Sequence, residues 1–267
     1  MSEARHVLSL SGGKDSAALA IYMRDRVPNM EYIFHDTGKE LPDTYKYLDR
    51  LEAFLGRPIV RTTAGVTFDQ LLRVKGGMLP SHGRRWCTEL MKLKPFETYI
   101  GDDFCYNYVG IRADEKRTGY ISHKPNLNPI YPFRDENIDY AGMMRILTDS
   151  GIGLPPYTKW GRTRSGCFFC FYQQKIEWVR LKQTYPRLFE QAKAYEKPNR
   201  VNGNIFYWSE EPLTELEKPE RMLQIEQNWK RAQERERSKR VAVPLVATLG
   251  GLELEPTMRT GCLMCDL

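Results

Sequence analysis

Short apolar runs alternate with amphipathic stretches over the first 120 residues of the chain. Four strand-like runs lie near residues 6–10, 31–35, 58–62 and 106–111. Stretches with helical spacing of apolar residues lie between them, near residues 15–26, 42–55, 67–74 and 88–100. This alternation indicates a parallel sheet covered by helices on both faces. We therefore expect a Rossmann-like α/β fold, whose ligands bind beyond the carboxyl ends of the strands.

The pattern changes after about residue 120. Prolines interrupt residues 121–135 and disfavour helix there, and further helical patterns lie near residues 137–150, 173–184, 186–196 and 215–238. We therefore predict three parts, the last two forming a mainly helical C-terminal region. They are a nucleotide-binding α/β core at 1–120, a cysteine-containing region that closes the core at 121–200, and a helical extension with a cysteine-containing tail at 201–267.

Composition narrows the class of protein. The chain has 267 residues, of which 41% are hydrophobic and 28% charged, which suits a globular α/β core with a small appended region. We see neither a membrane-spanning apolar run nor a signal peptide. Six cysteines without an export signal indicate reduced thiols, metal ligands or catalytic groups rather than disulfides. We therefore expect a cytoplasmic protein with no membrane contact.

The turn after the first apolar run carries the most specific chemistry. Residues 9–16 read Ser9-Leu10-Ser11-Gly12-Gly13-Lys14-Asp15-Ser16. Glycines let backbone N–H groups approach an anion, and the helix that follows presents the positive end of its dipole. The spacing is not that of a Walker loop. We predict a phosphate-binding turn, with a purely structural turn capped by Ser16 or Asp15 as the alternative.

Basic residues cluster beside two loops. The formal net charge of +6 permits an anionic partner without demanding one. The candidate nucleic-acid contacts are Arg73, Lys75, Arg84 and Arg85 around a glycine-containing loop, and Arg162 and Arg164 before a cysteine pair.

Five motifs occur in order over about residues 5–200. They are Ser11–Ser16, His35–Glu40 with Pro42–Thr44, Arg85–Thr88 with Lys92, Gly110–Glu115, and Pro156–Tyr157 with Gly161, Arg164, Gly166, Cys167 and Cys170. Together they resemble the phosphoadenosine-phosphosulfate reductase family of ATP pyrophosphatases, which are adenine nucleotide α-hydrolase-like proteins. The resemblance implies an adenine nucleotide α-hydrolase-like fold and the binding of ATP with Mg²⁺.

The resemblance also implies roles for single residues. The turn would cradle the β- and γ-phosphates of ATP, with Lys14 neutralising the leaving pyrophosphate and Asp15 either capping the helix or holding Mg²⁺. Arg112 would contact a phosphate or sulfate, or else pair with a neighbouring carboxylate. The residues expected to contact ATP are Ser9, Ser11, Gly12, Gly13, Lys14, Asp15, Ser16, Asp36, Thr37, Gly38, Gly110 and Arg112; the catalytic candidates among them are Lys14, Asp15 and Arg112.

The cysteines suggest a metal centre. Cys87, Cys167 and Cys170 resemble the iron–sulfur pattern of assimilatory adenylyl-sulfate reductases, except that Thr88 replaces the second cysteine of an upstream pair. Three ligands remain where a four-iron cluster usually takes four, and Cys262 or Cys265 is the candidate for the fourth. A zinc site and buried structural thiols are the alternatives. Cys105, within a predicted strand, is expected to be a buried apolar residue.

The C-terminal sequence discriminates among functions. The chain ends in Gly261-Cys262-Leu263-Met264-Cys265-Asp266-Leu267, without the Glu-Cys-Gly-x-His-type segment of sulfate reductases. We therefore interpret the resemblance as closest to the ATP-pyrophosphatase component of DNA phosphorothioation systems, which work in phage defence. Such a protein would act on DNA with a cysteine desulfurase and other modification-complex subunits. The alternatives are a thiol-dependent adenylyl-sulfate or phosphoadenylyl-sulfate reductase, a tRNA thiolation enzyme, and a non-catalytic nucleotide sensor of a defence complex.

Overall fold

A single parallel sheet forms the centre of the molecule. The computed structural model describes residues 4–119, 122, 124–198 and 203–241. Five strands within these ranges pair in the order β3-β2-β1-β4-β5, all in parallel. The strands are β1 (Arg5–Leu10), β2 (Met30–His35), β3 (Ile59–Thr62), β4 (Cys105–Tyr108) and β5 (Leu127–Ile130). The predicted α/β class and parallel sheet are confirmed.

Helices flank this sheet, and they are the main regular structure of the described chain that follows β5 in sequence. They are α1 (Lys14–Met23), α2 (Pro42–Leu55), α3 (Phe68–Val74), α4 (Trp86–Thr88), α5 (Lys94–Ile100), α6 (Pro132–Asp135), α7 (Tyr140–Asp149), α8 (Lys175–Thr184), α9 (Pro186–Lys193), α10 (Leu213–Leu216) and α11 (Pro219–Val241). A π-helical stretch, Glu89–Leu93, joins α4 to α5, and Pro156–Trp160 form a 3₁₀ helix. The predicted helical C-terminal region is confirmed.

Strand β5 was not predicted. The prolines near it argued against regular structure, and Pro129 lies within the strand, opposite Asn107 of β4. Proline has no backbone N–H to donate to a neighbouring strand. It is tolerated in an edge strand, where that position can face away from the sheet. Because β5 is at the edge of the sheet, the sheet continues to Ile130, past residue 120.

Strand β1 is central and fixes the position of the site. Val7 and Leu8 are fully buried in it, and β2 and β4 pair with its two sides. The chain therefore leaves β1 at the point where the strand order reverses, which is where open parallel sheets form a crevice beyond their carboxyl ends. The segment that enters this crevice is the turn at residues 11–16.

A second core lies beside the sheet, around α3, α8 and α9. Its buried members include Phe68, Trp178 and Phe189, and Phe169 joins it from the segment that carries two of the cysteines. This packing brings a segment distant in sequence against the carboxyl edge of the sheet. Across the described ranges, no helix combines the length and the apolar character needed to cross a membrane.

Candidate nucleotide and cysteine site

The turn at residues 11–16 is a buried strand-to-helix junction. Gly12 has φ of +70°, a conformation that glycine adopts without strain. Gly13, with extended backbone, occupies the N-cap position of α1, so Asp15 and Ser16 lie within the first turn of the helix and neither is its N-cap. A Cβ atom on Gly12 would lie 2.5 Å from Cγ2 of Thr44. The local sequence therefore needs glycine here for both conformation and space.

Serine hydroxyls accept hydrogen bonds from backbone N–H groups within this turn. The Ser11 N–H donates to Oγ of Ser16 at 3.2 Å, and the Gly13 N–H donates to Oγ of Ser11 at 3.2 Å. The two serine hydroxyls lie 3.1 Å apart. Backbone amides and hydroxyls thus converge at the N-terminus of a ten-residue helix, an arrangement that can hold phosphate oxygens.

Two residues from the C-terminal region cover the turn. The N–H of Lys14 donates to the hydroxyl of Tyr157 at 3.1 Å, and Oγ of Ser165 donates to Oγ of Ser11 at 3.2 Å. Neither residue was predicted to contact the turn. Tyr157 belongs to one of the five motifs, but only the fold shows that its hydroxyl reaches an amide so distant in the chain.

Arg112 lies in a buried ion-pair network with the turn. Its guanidinium contacts Asp15 at 2.5 Å, Asp114 at 3.0 Å and Glu115 at 3.4 Å, and Arg112 is only 2% exposed. The other oxygen of Asp15 accepts from Nζ of Lys14 at 3.0 Å. Asp15 therefore links the other two predicted catalytic residues, Lys14 and Arg112. Arg112 pairs with Asp114 and Glu115, and its contact with a phosphate or sulfate stays a prediction.

The network sets the charge of its carboxyl groups. Burial raises the pKa of Asp15, but the charges of Lys14 and Arg112 and their hydrogen bonds outweigh burial and hold that pKa below its usual value. Burial raises the pKa of Glu115 despite the opposing charges of Arg117 and Arg112. Both oxygens of Asp15 contact cations of the protein, and the role of Asp15 in holding Mg²⁺ stays a prediction.

The other predicted nucleotide-binding segments end at the same edge of the sheet. Asp36 accepts from the N–H of Gly38 and from the hydroxyl of Tyr45, each at 2.7 Å, which closes a tight turn after β2. A Cβ atom on Gly110, after β4, would lie 3.1 Å from the carbonyl oxygen of Asp15. Gly110 thus allows the backbone after β4 to lie against the start of α1.

Three cysteines line one small cavity. Cys87, Cys167 and Cys170 border a space of about 30 Å³, close to that of one water molecule. The thiol of Cys167 donates to Glu40 at 3.7 Å and lies 3.2 Å from the hydroxyl of Thr37. The cysteine pair therefore adjoins the segment that follows β2.

These cysteines do not fit a metal site as they lie. Burial, and next the charge of Glu40, raise the pKa of Cys167 well above its usual value, which favours a thiol over the thiolate that binds metals. Within the described ranges, no three cysteine, histidine or acidic side chains are grouped as metal ligands. Cys262 and Cys265 lie outside the described residues. The iron–sulfur cluster and the zinc alternative stay predictions that this arrangement does not support.

Cys105 behaves as the sequence indicated. It lies in β4 with no exposed surface, and burial raises its pKa to about 12. It is a buried apolar residue, as expected.

The candidate nucleic-acid contacts separate into buried and exposed residues. Arg162 is 2% exposed and donates to the carbonyl oxygens of Gly166 and Cys167 at 3.1 and 2.7 Å. The expectation that Arg162 contacts nucleic acid is therefore wrong, because its guanidinium holds the cysteine turn from inside. Arg73 and Arg84 are exposed.

Several of the remaining basic residues lie over aromatic rings. The guanidinium of Arg84 is 5.3 Å from the ring centre of Phe206, and those of Arg85 and Arg164 are 6.0 and 5.2 Å from that of Tyr172. Lys75 follows α3 and is partly exposed. We call Arg84, Arg85, Arg164, Tyr172 and Phe206 the basic–aromatic surface.

His35 makes the stability of the site region depend on pH. It is 3% exposed, its Nδ1 lies 2.7 Å from Oγ1 of Thr62, and its Nε2 has no hydrogen-bond partner. Burial, and next the charge of Lys92, lower its pKa to about 3. Below the unfolded pKa of about 6.5, the unfolded chain therefore takes up a proton that the native protein does not.

We expect that His35→Gln reduces the loss of stability on acidification. Between pH 6.5 and pH 4.5 the parent protein should lose about 2 kcal/mol more unfolding free energy than the variant, because each pH unit contributes about 1.4 kcal/mol. Urea unfolding at the two pH values measures this. The exposed His82→Gln variant should keep the parent's acid sensitivity, because it retains His35. Equal losses in His35→Gln and the parent would contradict the expectation.

Comparison with known proteins places this geometry in context. Residues 5–126 match the family model described as the phosphoadenosine phosphosulfate reductase domain. An uncharacterized 37.8 kDa protein of Escherichia phage 186 is 42% identical, over 78% of this chain and 80% of its own length. Two uncharacterized proteins of Methanocaldococcus jannaschii are 28% and 27% identical, over 69% and 79% of this chain. The chain spans 40% and 54% of these two archaeal relatives.

A solved structure shares the fold. The crystal structure of phosphoadenylyl-sulfate (PAPS) reductase from Candida auris, in a phosphate complex, superposes with a TM-score of 0.50 at 16% identity. The match covers 62% of this chain and 82% of that one. At this identity the likeness shows the fold alone.

Proposed function

The chain belongs to the phosphoadenosine phosphosulfate reductase domain family, and from that membership we propose that it is an ATP pyrophosphatase. In this proposal it transfers the adenylyl group of ATP to a backbone phosphate of DNA and so prepares that phosphate for sulfur insertion. The sulfur would come from a partner of the cysteine desulfurase class, within a modification complex. The family membership supports a nucleotide as the ligand, whereas the acceptor and the partners are the finer part of the proposal.

One observation carries the proposal: the buried turn between β1 and α1. The amide of Lys14 contacts the hydroxyl of Tyr157, and the hydroxyl of Ser11 contacts that of Ser165; a phosphate oxygen can replace either partner. The positive end of α1 and the ammonium of Lys14 favour a polyanion at this place. A pyrophosphate group therefore suits the turn better than a neutral ligand.

The expected chemistry needs positioning more than acid–base catalysis. An oxygen of the acceptor phosphate attacks the α-phosphorus of ATP, the bond from that phosphorus to the β-bridging oxygen breaks, and pyrophosphate leaves. Lys14 stabilises the charge that develops on the leaving group. Asp15, kept ionised by Lys14 and Arg112, holds both cations in place.

The basic–aromatic surface supports a nucleic acid as the acceptor. Guanidinium groups bind phosphates, and aromatic rings with arginine planes over them are typical of surfaces that contact bases. Its arginines are close in the chain to residues that line the cysteine cavity: Cys87 follows Arg84 and Arg85, and Gly166 and Cys167 follow Arg164. No step of the proposed reaction passes through a metal cluster.

A product assay tests the proposal. The purified protein is incubated with ATP and Mg²⁺, with and without DNA, and AMP and pyrophosphate are quantified. Release of pyrophosphate that increases with DNA is the expected result. Sulfite formation from adenylyl sulfate with a thiol, without pyrophosphate under any condition, would establish the reductase instead. Tight ATP binding without any turnover would favour the nucleotide sensor.

A serine variant ties the activity to the turn. We expect Ser16→Ala to lower pyrophosphate release about tenfold, because it removes a hydroxyl that orders the turn and the phosphate, worth about 1.4 kcal/mol in the transition state. Ser150→Ala, at the end of α7, is the matched control and should retain full activity. An equal rate in both variants would show that the hydroxyl of Ser16 does not contribute to pyrophosphate release.

A further inference from the structure

A separate cavity lies apart from the nucleotide turn. It has a volume of about 720 Å³ and lies between α3, the loop after it, and the end of α9. Its charged and aromatic wall residues are Lys39, Asp69, Arg73, Tyr195 and Lys197. A volume of this size accommodates a nucleotide-sized ligand, and none of these residues has a role in the proposed adenylyl transfer.

The charges of this cavity favour an anion. Asp69 is its acidic wall residue, and both of its oxygens are engaged: one accepts from Nζ of Lys39 at 2.6 Å and the other from the hydroxyl of Tyr195 at 2.5 Å. Burial raises the pKa of Asp69, but these two hydrogen bonds outweigh it and keep the carboxylate ionised. Asp69 therefore neutralises Lys39 and fixes the phenol ring.

Two further cations remain for a ligand. Arg73 and Lys197 are exposed on opposite sides of the cavity, one in α3 and the other beyond α9. Neither has an ion-pair partner among the residues that the structure describes. A ligand with at least two negative charges can therefore contact both without breaking a bond within the protein.

The aromatic wall is rigid. The ring of Tyr195 packs edge-on against Phe169 and Phe68, with ring centres 5.2 and 5.6 Å away. Nζ of Lys39 lies 5.7 Å from the centre of the Tyr195 ring, and the ring borders the cavity, so a base that enters the cavity meets an aromatic side chain paired with a cation. Lysine, arginine and a fixed aromatic face in one concave site are the usual elements of sites for single-stranded nucleic acid.

The cavity also adjoins the nucleotide and cysteine site. The carbonyl oxygen of Lys39 accepts from the N–H of Phe168 at 2.9 Å, so the wall of the cavity is bonded to the cysteine turn. Residues 36–38 link Lys39 to the end of β2. Lys39 therefore belongs both to the cavity wall and to the segment that leads from β2 to the cysteine turn.

From this juxtaposition we propose that the cavity is the binding site for one unpaired nucleotide of a single-stranded DNA segment. The base stacks on Tyr195, and the flanking phosphates contact Arg73 and Lys197. This deepens the proposed function and rests on it for the choice of DNA as the acceptor. The site would hold the strand beside the phosphate that receives the adenylyl group.

Direct binding tests the proposal apart from catalysis. The anisotropy of a short, fluorescently labelled oligodeoxythymidine is measured with the full chain, without ATP. We expect Arg73→Glu and Lys197→Glu each to weaken binding about tenfold and to reduce the salt dependence of log K by about 0.7 per lost phosphate contact. Tyr195→Leu should weaken binding about tenfold through lost stacking.

A charge-matched control isolates the cavity. Arg57→Glu makes the same charge change at an exposed position just before β3. This position is at the amino end of the strand, whereas the cavity adjoins segments that follow the carboxyl ends, so binding should be unchanged. Equal weakening by Arg57→Glu and Arg73→Glu, or equal affinity for duplex and single strand, would overturn the proposal. If the cavity variants bind DNA as tightly as the parent while pyrophosphate is still released, this site alone is refuted. If the cavity variants weaken DNA binding as expected but the parent releases no pyrophosphate, the proposed function alone is refuted.

Discussion

Gly12→Ala should destabilise the protein by about 3 kcal/mol and lower pyrophosphate release about a hundredfold. The new Cβ atom would lie 2.5 Å from Cγ2 of Thr44, which α2 holds 4% exposed, and the residue would keep a φ of +70°. Left-handed backbone costs an alanine about 1 kcal/mol, and overpacking a buried site adds about 2 kcal/mol. The turn would move away from α2, and the amides that hold the phosphates would move with it.

A second glycine separates the two contributions. Gly56 has a φ of +65°, and a Cβ atom there would have no neighbour within 4 Å. Gly56→Ala should therefore cost only about 1 kcal/mol and leave pyrophosphate release unchanged. Urea unfolding with a parallel product assay measures both effects.

A double variant tests the assigned contact. Thr44→Ser removes Cγ2, and in the Gly12→Ala background it should restore about 1–2 kcal/mol of stability. In the parent background the same change removes a buried methyl group and should destabilise by about 1 kcal/mol. Additive effects of the two substitutions would show that the contact with Thr44 is not what makes glycine necessary at position 12.

The sequence predicted those parts of the site that are formed by contiguous residues. Ser11–Ser16 carry glycine, hydroxyl and charge in one turn, and the apolar runs around them place that turn at the end of a strand. Asp36 follows β2 and Gly110 follows β4, the two strands that pair with the sides of β1 in the same sheet. Because the carboxyl ends of parallel strands meet at one edge, alternation alone was enough to group these segments.

The parts that sequence did not predict depend on packing between distant segments. Tyr157 and Ser165 reach the turn because the second core draws their segment against the sheet. Arg162 belongs to a basic run, and only its burial reveals that it serves two backbone carbonyl groups. Pro129 concealed β5 because strand propensity alone does not distinguish an edge strand from a central one.

Arg112→Gln should have an effect as large as that of Gly12→Ala, by an electrostatic route. The guanidinium is 2% exposed and contacts Asp15, Asp114 and Glu115. Removing it leaves buried carboxylates with fewer counter-charges, which typically costs 3–5 kcal/mol. Lys14 still contacts Asp15, so we expect about 3 kcal/mol. Pyrophosphate release should fall as well, because Asp15 and Lys14 lose the group that orients them.

The dependence on pH distinguishes this route from loss of packing. Lys14 and Arg112 hold the pKa of Asp15 below its usual value, so the stability that this pairing contributes is present above the unfolded pKa of about 4 and is lost as the pH falls through the lower folded pKa. The deficit of Arg112→Gln should therefore be full at pH 7 and shrink at pH 3–4. The pair of Arg24 and Asp25 on the surface provides the control: Arg24→Gln should leave stability nearly unchanged at either pH, because solvent screens an exposed ion pair. A deficit for Arg112→Gln that is the same at pH 7 and pH 3 would mean that the side chain stabilises the site by filling space rather than by its charge.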